Sequence, residues 1–176
     1  MFFSRKKGIT VSDTVFLNNT GCMKAIGNIL AEKQQTIVAV WFQEELDAIR
    51  RELSGFAEDR FVLADRLNGS NATGRDVVFY GHYPIRSNET DLCESLGITE
   101  LRVFTHLDAA LLRIFGSEGI KDVMVKMGMK EDEPLNHPMI TKAISNAQDK
   151  IAKQCITDMA SRSEDGWMQA NYVSGQ

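Results

Sequence analysis

Residues 36–42 read Thr-Ile-Val-Ala-Val-Trp-Phe, a run without a charge and rich in β-branched and aromatic side chains. Neither alternate set of positions is polar. That pattern fits a strand buried on both faces, as in the middle of a parallel sheet. The flanking residues extend the plan. Downstream, Phe42, Leu46, Ile49 and Leu53 recur at helical spacing as one apolar stripe, and Gly55 stops it. Upstream, residues 13–17 (DTVFL) form a short strand. Asn18-Asn19-Thr20 then start a helix whose buried face is Met23, Ile26, Ile29 and Leu30. Further strands are expected at 60–64 (RFVLA), 76–80 (DVVFY) and 101–105 (LRVFT), with a short helix at 88–96. Strands alternating with helices define an α/β class with a mostly parallel sheet of about five strands.

Beyond that point the pattern is helical. A short helix is expected at 109–115, with Asp108 as its N-cap. Ser117 caps a second, in which Ile120, Val123, Met124 and Met127 share a face. Residues 130–136 form a charged connector. His137 caps a third helix and Pro138 takes its first position. Ile140, Ile144, Ala147 and Ile151 continue an apolar stripe there, and Cys155 extends it. The expected organisation is an α/β domain over 8–127, a helical extension packed on it over 128–160, and flexible tails at 1–7 and 161–176. Trp167 falls in the second tail and is expected to be exposed.

The balance of 20 basic and 24 acidic residues, net charge -4, argues against a nucleic-acid binder, which usually presents a basic face. The one basic cluster, Arg5-Lys6-Lys7, follows Met1-Phe2-Phe3, the wrong order for a signal peptide. No run approaches the ~20 apolar residues of a membrane span. A cytoplasmic location without an integral membrane segment is expected. The three cysteines, Cys22, Cys93 and Cys155, lie far apart without a CxxC pair, so neither a disulfide framework nor a zinc site is expected.

Residues 111–151, LLRIFGSEGIKDVMVKMGMKEDEPLNHPMITKAISNAQDKI, closely resemble the end of the second nucleotide-binding (motor) lobe of SecA, the ATPase that drives preproteins across the bacterial membrane. Residues 10–110 follow the same lobe in pattern. The resemblance implies a RecA-like fold of the P-loop NTPase type. It also implies what hydrolysis would need. The family's first lobe supplies the phosphate loop and magnesium-binding acids. Its second lobe supplies a GRGTD segment and the arginine motif QLRGRAGRQGD. None of these is found in the sequence. Laid on the family segment IGTERHESRRID, the stretch GHYPIRSNETD matches at Gly81, Ser87 and Asp91. The family's arginines then fall on Ser95, Gly97 and Glu100, which cannot form a cation clamp. No ATP hydrolysis by this chain alone is expected, no cofactor, and no ATP binding of useful affinity.

Residues 69–76 have the glycine spacing of a phosphate loop, but Arg75 and Asp76 replace its lysine and hydroxyl, so a plain surface loop is expected. The loop at 81–91 is the better candidate, because ligands of open α/β sheets bind beyond the carboxyl ends of the strands. His82, Tyr83, Arg86 and Asp91 are its candidate ligand-binding residues. His82 would act as acid or base, and Arg86 would hold a carboxylate or phosphate. No residues have catalytic or metal-ligand spacing. The candidate partner interface is Ile140, Ile144, Ala147, Ile151 and Cys155, facing a translocation ATPase or a second copy of the chain. The expected function is a non-catalytic, SecA-like binding or regulatory module related to preprotein translocation. The alternative is a protein binding a small molecule or nucleotide in the remodelled cleft at 82–91.

Overall fold

The computed structural model describes residues 8–172, so the tail expected at 1–7 and the last four residues of the one expected at 161–176 lie outside the described residues. Five strands, β1 (Thr10–Phe16), β2 (Thr36–Val40), β3 (Phe61–Leu63), β4 (Asp76–Tyr80) and β5 (Glu100–His106), form one sheet in the order β1-β5-β4-β2-β3. Every pairing is parallel. The expected α/β class and five-stranded sheet are borne out. All five residues of β2 are buried, as their unbroken apolar run requires.

Helices α1 (Asn19–Glu32) and α2 (Gln43–Glu52) cover one face of the sheet. Asn18 caps α1 by accepting the Gly21 N–H at 3.0 Å. Cys22, Met23, Ile26 and Leu30 of α1 then meet Leu46 and Ile49 of α2 over Phe16, Val38 and Val78. Arg60 closes the other end of α1. Its guanidinium donates to the carbonyls of Leu30 (2.8 Å), Lys33 (2.7 Å) and Thr36 (3.0 Å). A cation there satisfies carbonyls the helix leaves open and opposes its dipole. The opposite face is covered by α4 (Arg86–Leu96), which buries Cys93 against Val77, Phe79, Leu101 and Val103. Residues 69–76 begin with a helical turn, α3 (Gly69–Ala72), in place of the expected plain loop. Asn68 and Asn71 cap it reciprocally.

The remaining helices are α5 (Ala110–Arg113), α6 (Ser117–Lys126), α7 (Pro138–Gln154) and α8 (Glu164–Asn171). A third core, lying beyond the strand ends, joins α5, α7 and α8 to Val15, Leu17 and Phe42. Two caps differ from expectation. Asp108 does not cap α5, whose first N–H groups, Ala110 and Leu111, donate to the Glu164 carboxylate at 2.8 and 3.2 Å. Asp108 instead pairs with Lys121 at 2.6 Å. Ser117 is the first residue of α6, and its hydroxyl donates to the Leu107 carbonyl. His137 does cap α7, its Nδ1 accepting the Met139 N–H.

The largest correction concerns residues 161–172. They do not form a loose tail, because α8 packs into the third core and Trp167 is 0% exposed.

The connector before α7 runs beside β1 as an added edge. Val15 and Leu135 exchange backbone hydrogen bonds of 3.1 and 2.8 Å in antiparallel sense. Lys24–Asp132 and Asn18–Glu131 contacts strap the same segment to α1. At Gly21 a Cβ would stand 1.8 Å from the Glu131 carbonyl oxygen. Gly21→Ala is therefore expected to destabilise by about 1–3 kcal/mol, since strap and helix must part. A urea midpoint equal to the parent's would show that the strap does not hold this close approach.

Candidate functional site

Loop 81–91 does not remain a loop, because α4 starts at Arg86. Its four candidate residues are not gathered around one ligand. Gly81, at φ +73, turns the chain out of β4 and sends His82 back beneath the sheet. There His82 Nε2 lies 2.9 Å from Asp13 Oδ1 of β1, and Nδ1 lies 2.9 Å from Glu89 Oε1 of α4. All three side chains are buried. Burial alone would lower the His82 pKa. The Glu89 charge and hydrogen bonds to Asp13 and Glu89 outweigh it and push the pKa to about 10. The two carboxyl groups thus favour the imidazolium form of His82 and occupy both of its ring nitrogens. Glu89 also accepts the Tyr83 N–H at 2.7 Å and the Gln148 amide of α7 at 3.0 Å.

Tyr83 is similarly committed. Its ring packs on Trp41, Phe42 and Trp167, and its hydroxyl donates to Asp158 Oδ1 at 2.6 Å. Arg86 is exposed and donates to Ser145 and Asp149 of α7. Asp91 is exposed one turn further along α4. The stripe on α7 has its own burial. Ile144, Ala147 and Ile151 are enclosed in the third core, while Ile140 and Cys155 are half-buried at its border. Ile144, Ala147 and Ile151 pack mainly on this chain's own α5, β1 and Trp167, while Ile140 borders an open apolar groove.

Two of the concave sites bring buried ionisable side chains together. One is a cleft of about 200 Å³ at the carboxyl ends of β2, β4 and β5, lined by Asn19, Trp41, Glu45, Tyr80, His106 and Glu164 among others. Its position is the one that the fold type favours. Tyr80 donates to Asn19 at 2.8 Å and lies 3.2 Å from His106 Nε2. Burial lowers the His106 pKa to about 4, and burial raises that of Glu164 to about 7 against the pull of the Ala110 and Leu111 N–H groups. Glu45 Oε2 and His106 Nδ1 are buried there without a partner. The second site is a cavity of about 310 Å³ beneath α7, into which Asp13, His82 and Glu89 face. Sequence reading missed Asp13 and Gln148. The available signal was an acid at the centre of an otherwise neutral strand. Among the described residues no group of three or more His, Cys, Asp or Glu could hold a metal ion.

Fold and helix arrangement define the class: a RecA-like α/β domain with an all-parallel five-stranded sheet, its strand ends partly closed by C-terminal helices. Within that class the chain carries a SecA-like segment. It is similar to the protein translocase subunit SecA of Syntrophobacter fumaroxidans, 47% identical over 53 residues, 30% of this chain and 6% of that protein. SecA of Desulfotalea psychrophila is 52% identical over 50 residues, 28% of this chain and 6% of that one. SecA of Treponema denticola is 48% identical over 50 residues, covering 28% and 5%. The match thus spans about a twentieth of these relatives' length. No family model matches the chain. Among the described residues no helix is long and apolar enough to cross a membrane.

Proposed function

We propose that the chain is a non-hydrolysing, SecA-like binding module of the protein-translocation machinery, docking on a SecA ATPase. The observation that supports it is an uncovered apolar face. Along α6, Ile120 is 50% exposed, Val123 54% and Met127 77%, and Met139 at the start of α7 is 73% exposed. Between them runs an apolar groove of about 220 Å³, floored by Val15, Leu107 and Leu135 and walled by Met124 and Ile140. Contiguous exposed apolar surface marks contact sites more often than scattered single residues do. The relatives are named as translocase subunits, which motivates the choice of partner.

Hydrolysis by this chain alone lacks its cation clamp. Gly97, at φ +68, closes α4, the Ser95 hydroxyl donates to the Leu92 carbonyl, and Glu100 opens β5. No positive charge stands at those three positions.

The test is binding of the purified chain to purified full-length SecA from the same cell, followed by biolayer interferometry. A saturable complex is expected, weakened about tenfold or more by Val123→Glu with Met127→Glu, with the melting temperature unchanged. An ATPase assay of the chain by itself should give the buffer rate. Absence of binding at about 50 μM chain, or equal binding by the double variant, overturns the docking. ATP turnover by the isolated chain overturns the non-hydrolysing part.

A further inference from the structure

We infer that the cavity beneath α7 is a binding site for a small zwitterion of amino-acid size, its ammonium on Asp13 and its carboxylate beside Lys142. The cavity lies between β1, α4 and α7, and its volume falls at the low end of the roughly 300–1,000 Å³ of small-molecule pockets. Its inner wall is Asp13, His82, Glu89 and Gln148, each at least nine-tenths buried.

Among the fully buried side-chain atoms of this wall, one lacks a partner. Asp13 Oδ1 is taken by His82, Glu89 Oε1 by His82 and the Tyr83 N–H, and Glu89 Oε2 by Gln148. Asp13 Oδ2 is buried and has no partner. Two carboxyl groups face one imidazole, and Asp13 Oδ2 is left as a free acceptor. A buried, uncompensated acceptor of that kind is costly, and an ammonium group supplies both the proton and the charge.

The mouth has the opposite character. Lys142 lines it and makes no hydrogen bond or ion pair among the described residues. Pro138 and Thr141, on the first turn of the 17-residue α7, lie beside it, where the helix dipole favours an anion. Arg86 adds a guanidinium already shared with Ser145 and Asp149. An amine alone would leave the mouth unmatched, and a carboxylate alone would meet Asp13. Val11 and Ile144 give apolar wall for a short side chain. This inference is independent of the docking on α6.

The experiment is titration calorimetry of the whole chain with glycine, L-alanine and L-leucine, and with propylamine and propionate as single-charge controls. At least one amino acid is expected to bind about tenfold or more tightly than either control, one charge-assisted contact being worth about that factor. Lys142→Gln should weaken the amino acid about tenfold while leaving propylamine unchanged, and Asp13→Asn should abolish both. If Asp13→Asn does not fold, the Lys142→Gln comparison decides alone. No heat from any of the three amino acids at about 20 mM, or propylamine binding as tightly as they do, overturns the site.

Discussion

Replacing His82 by alanine is expected to cost about 3–5 kcal/mol of folding stability, read from urea midpoints. The imidazolium is the only cation between two buried carboxylates drawn from β1 and α4. Without it Asp13 loses its one side-chain partner, and Glu89 keeps only the Tyr83 N–H and the Gln148 amide. Breaking a buried pair costs more than forming it gains, because the remaining charge stays desolvated.

The same contact sets a pH dependence. The folded pKa of His82, about 10, lies above the unfolded value near 6.5. Its contribution is therefore complete below about pH 6.5 and is lost as pH rises toward 10. Stability should fall between about pH 7 and pH 8.5, by at most about 1.4 kcal/mol per unit for one proton. Glu164, raised to about 7, adds a loss only near the bottom of that window. His106, lowered to about 4, acts below pH 6.5 and in the opposite sense. The thiols of Cys22, Cys93 and Cys155, all raised by burial, begin to add losses near the top of that window and do so in the His82→Ala protein as well. A His82→Ala protein whose midpoint still falls as steeply over those 1.5 units would sink the assignment of this slope to His82.

Why this network escaped the sequence is physical. His82 and Asp13 are 69 positions apart, and only the order β1-β5-β4 with a left-handed turn at Gly81 brings them together. No local periodicity encodes such a meeting. The strands were legible because burial on both faces leaves continuous apolar runs, as in Thr36–Val40 and Asp76–Tyr80. The stripe on α7 was legible as apolar but not as to what covers it. Ile144 and Ile151 meet Trp167 of a helix whose sequence, EDGWMQAN, has a central glycine and little periodicity. Its helicity comes from docking rather than propensity. Conversely the α6 stripe reads as core yet lies largely open, with Ile120, Val123 and Met127 at least half exposed while Met124 joins the third core.

Trp167→Ala is expected to destabilise by about 3–5 kcal/mol, the range for emptying a large aromatic site. The indole is fully enclosed by the third core, edge-on to Tyr83 at 5.8 Å between ring centroids. Its Nε1 donates to Asp158 Oδ1 at 2.7 Å and to the Tyr83 hydroxyl at 3.1 Å. The substitution removes both packing and the donor, and it frees α8. Glu164 on that helix caps α5, and Glu45 accepts the Glu164 N–H at 3.0 Å, so loss of docking also uncaps α5 and opens the cleft at the strand ends. Trp167→Phe separates the two contributions. It keeps an aromatic ring in the site but leaves Asp158 with only the Tyr83 hydroxyl and the Asn88 amide. Its cost should be about 1.5–3 kcal/mol, that of a hydrogen bond to a charged group. Circular dichroism in urea is the suitable measurement, because the variants remove a fluorophore. Since α8 carries the cap of α5, hydrogen exchange at Ala110 and Leu111 should rise in Trp167→Ala and stay near the parent's in Trp167→Phe. Unchanged exchange in both variants would mean that α8 does not hold α5, however well the indole fits.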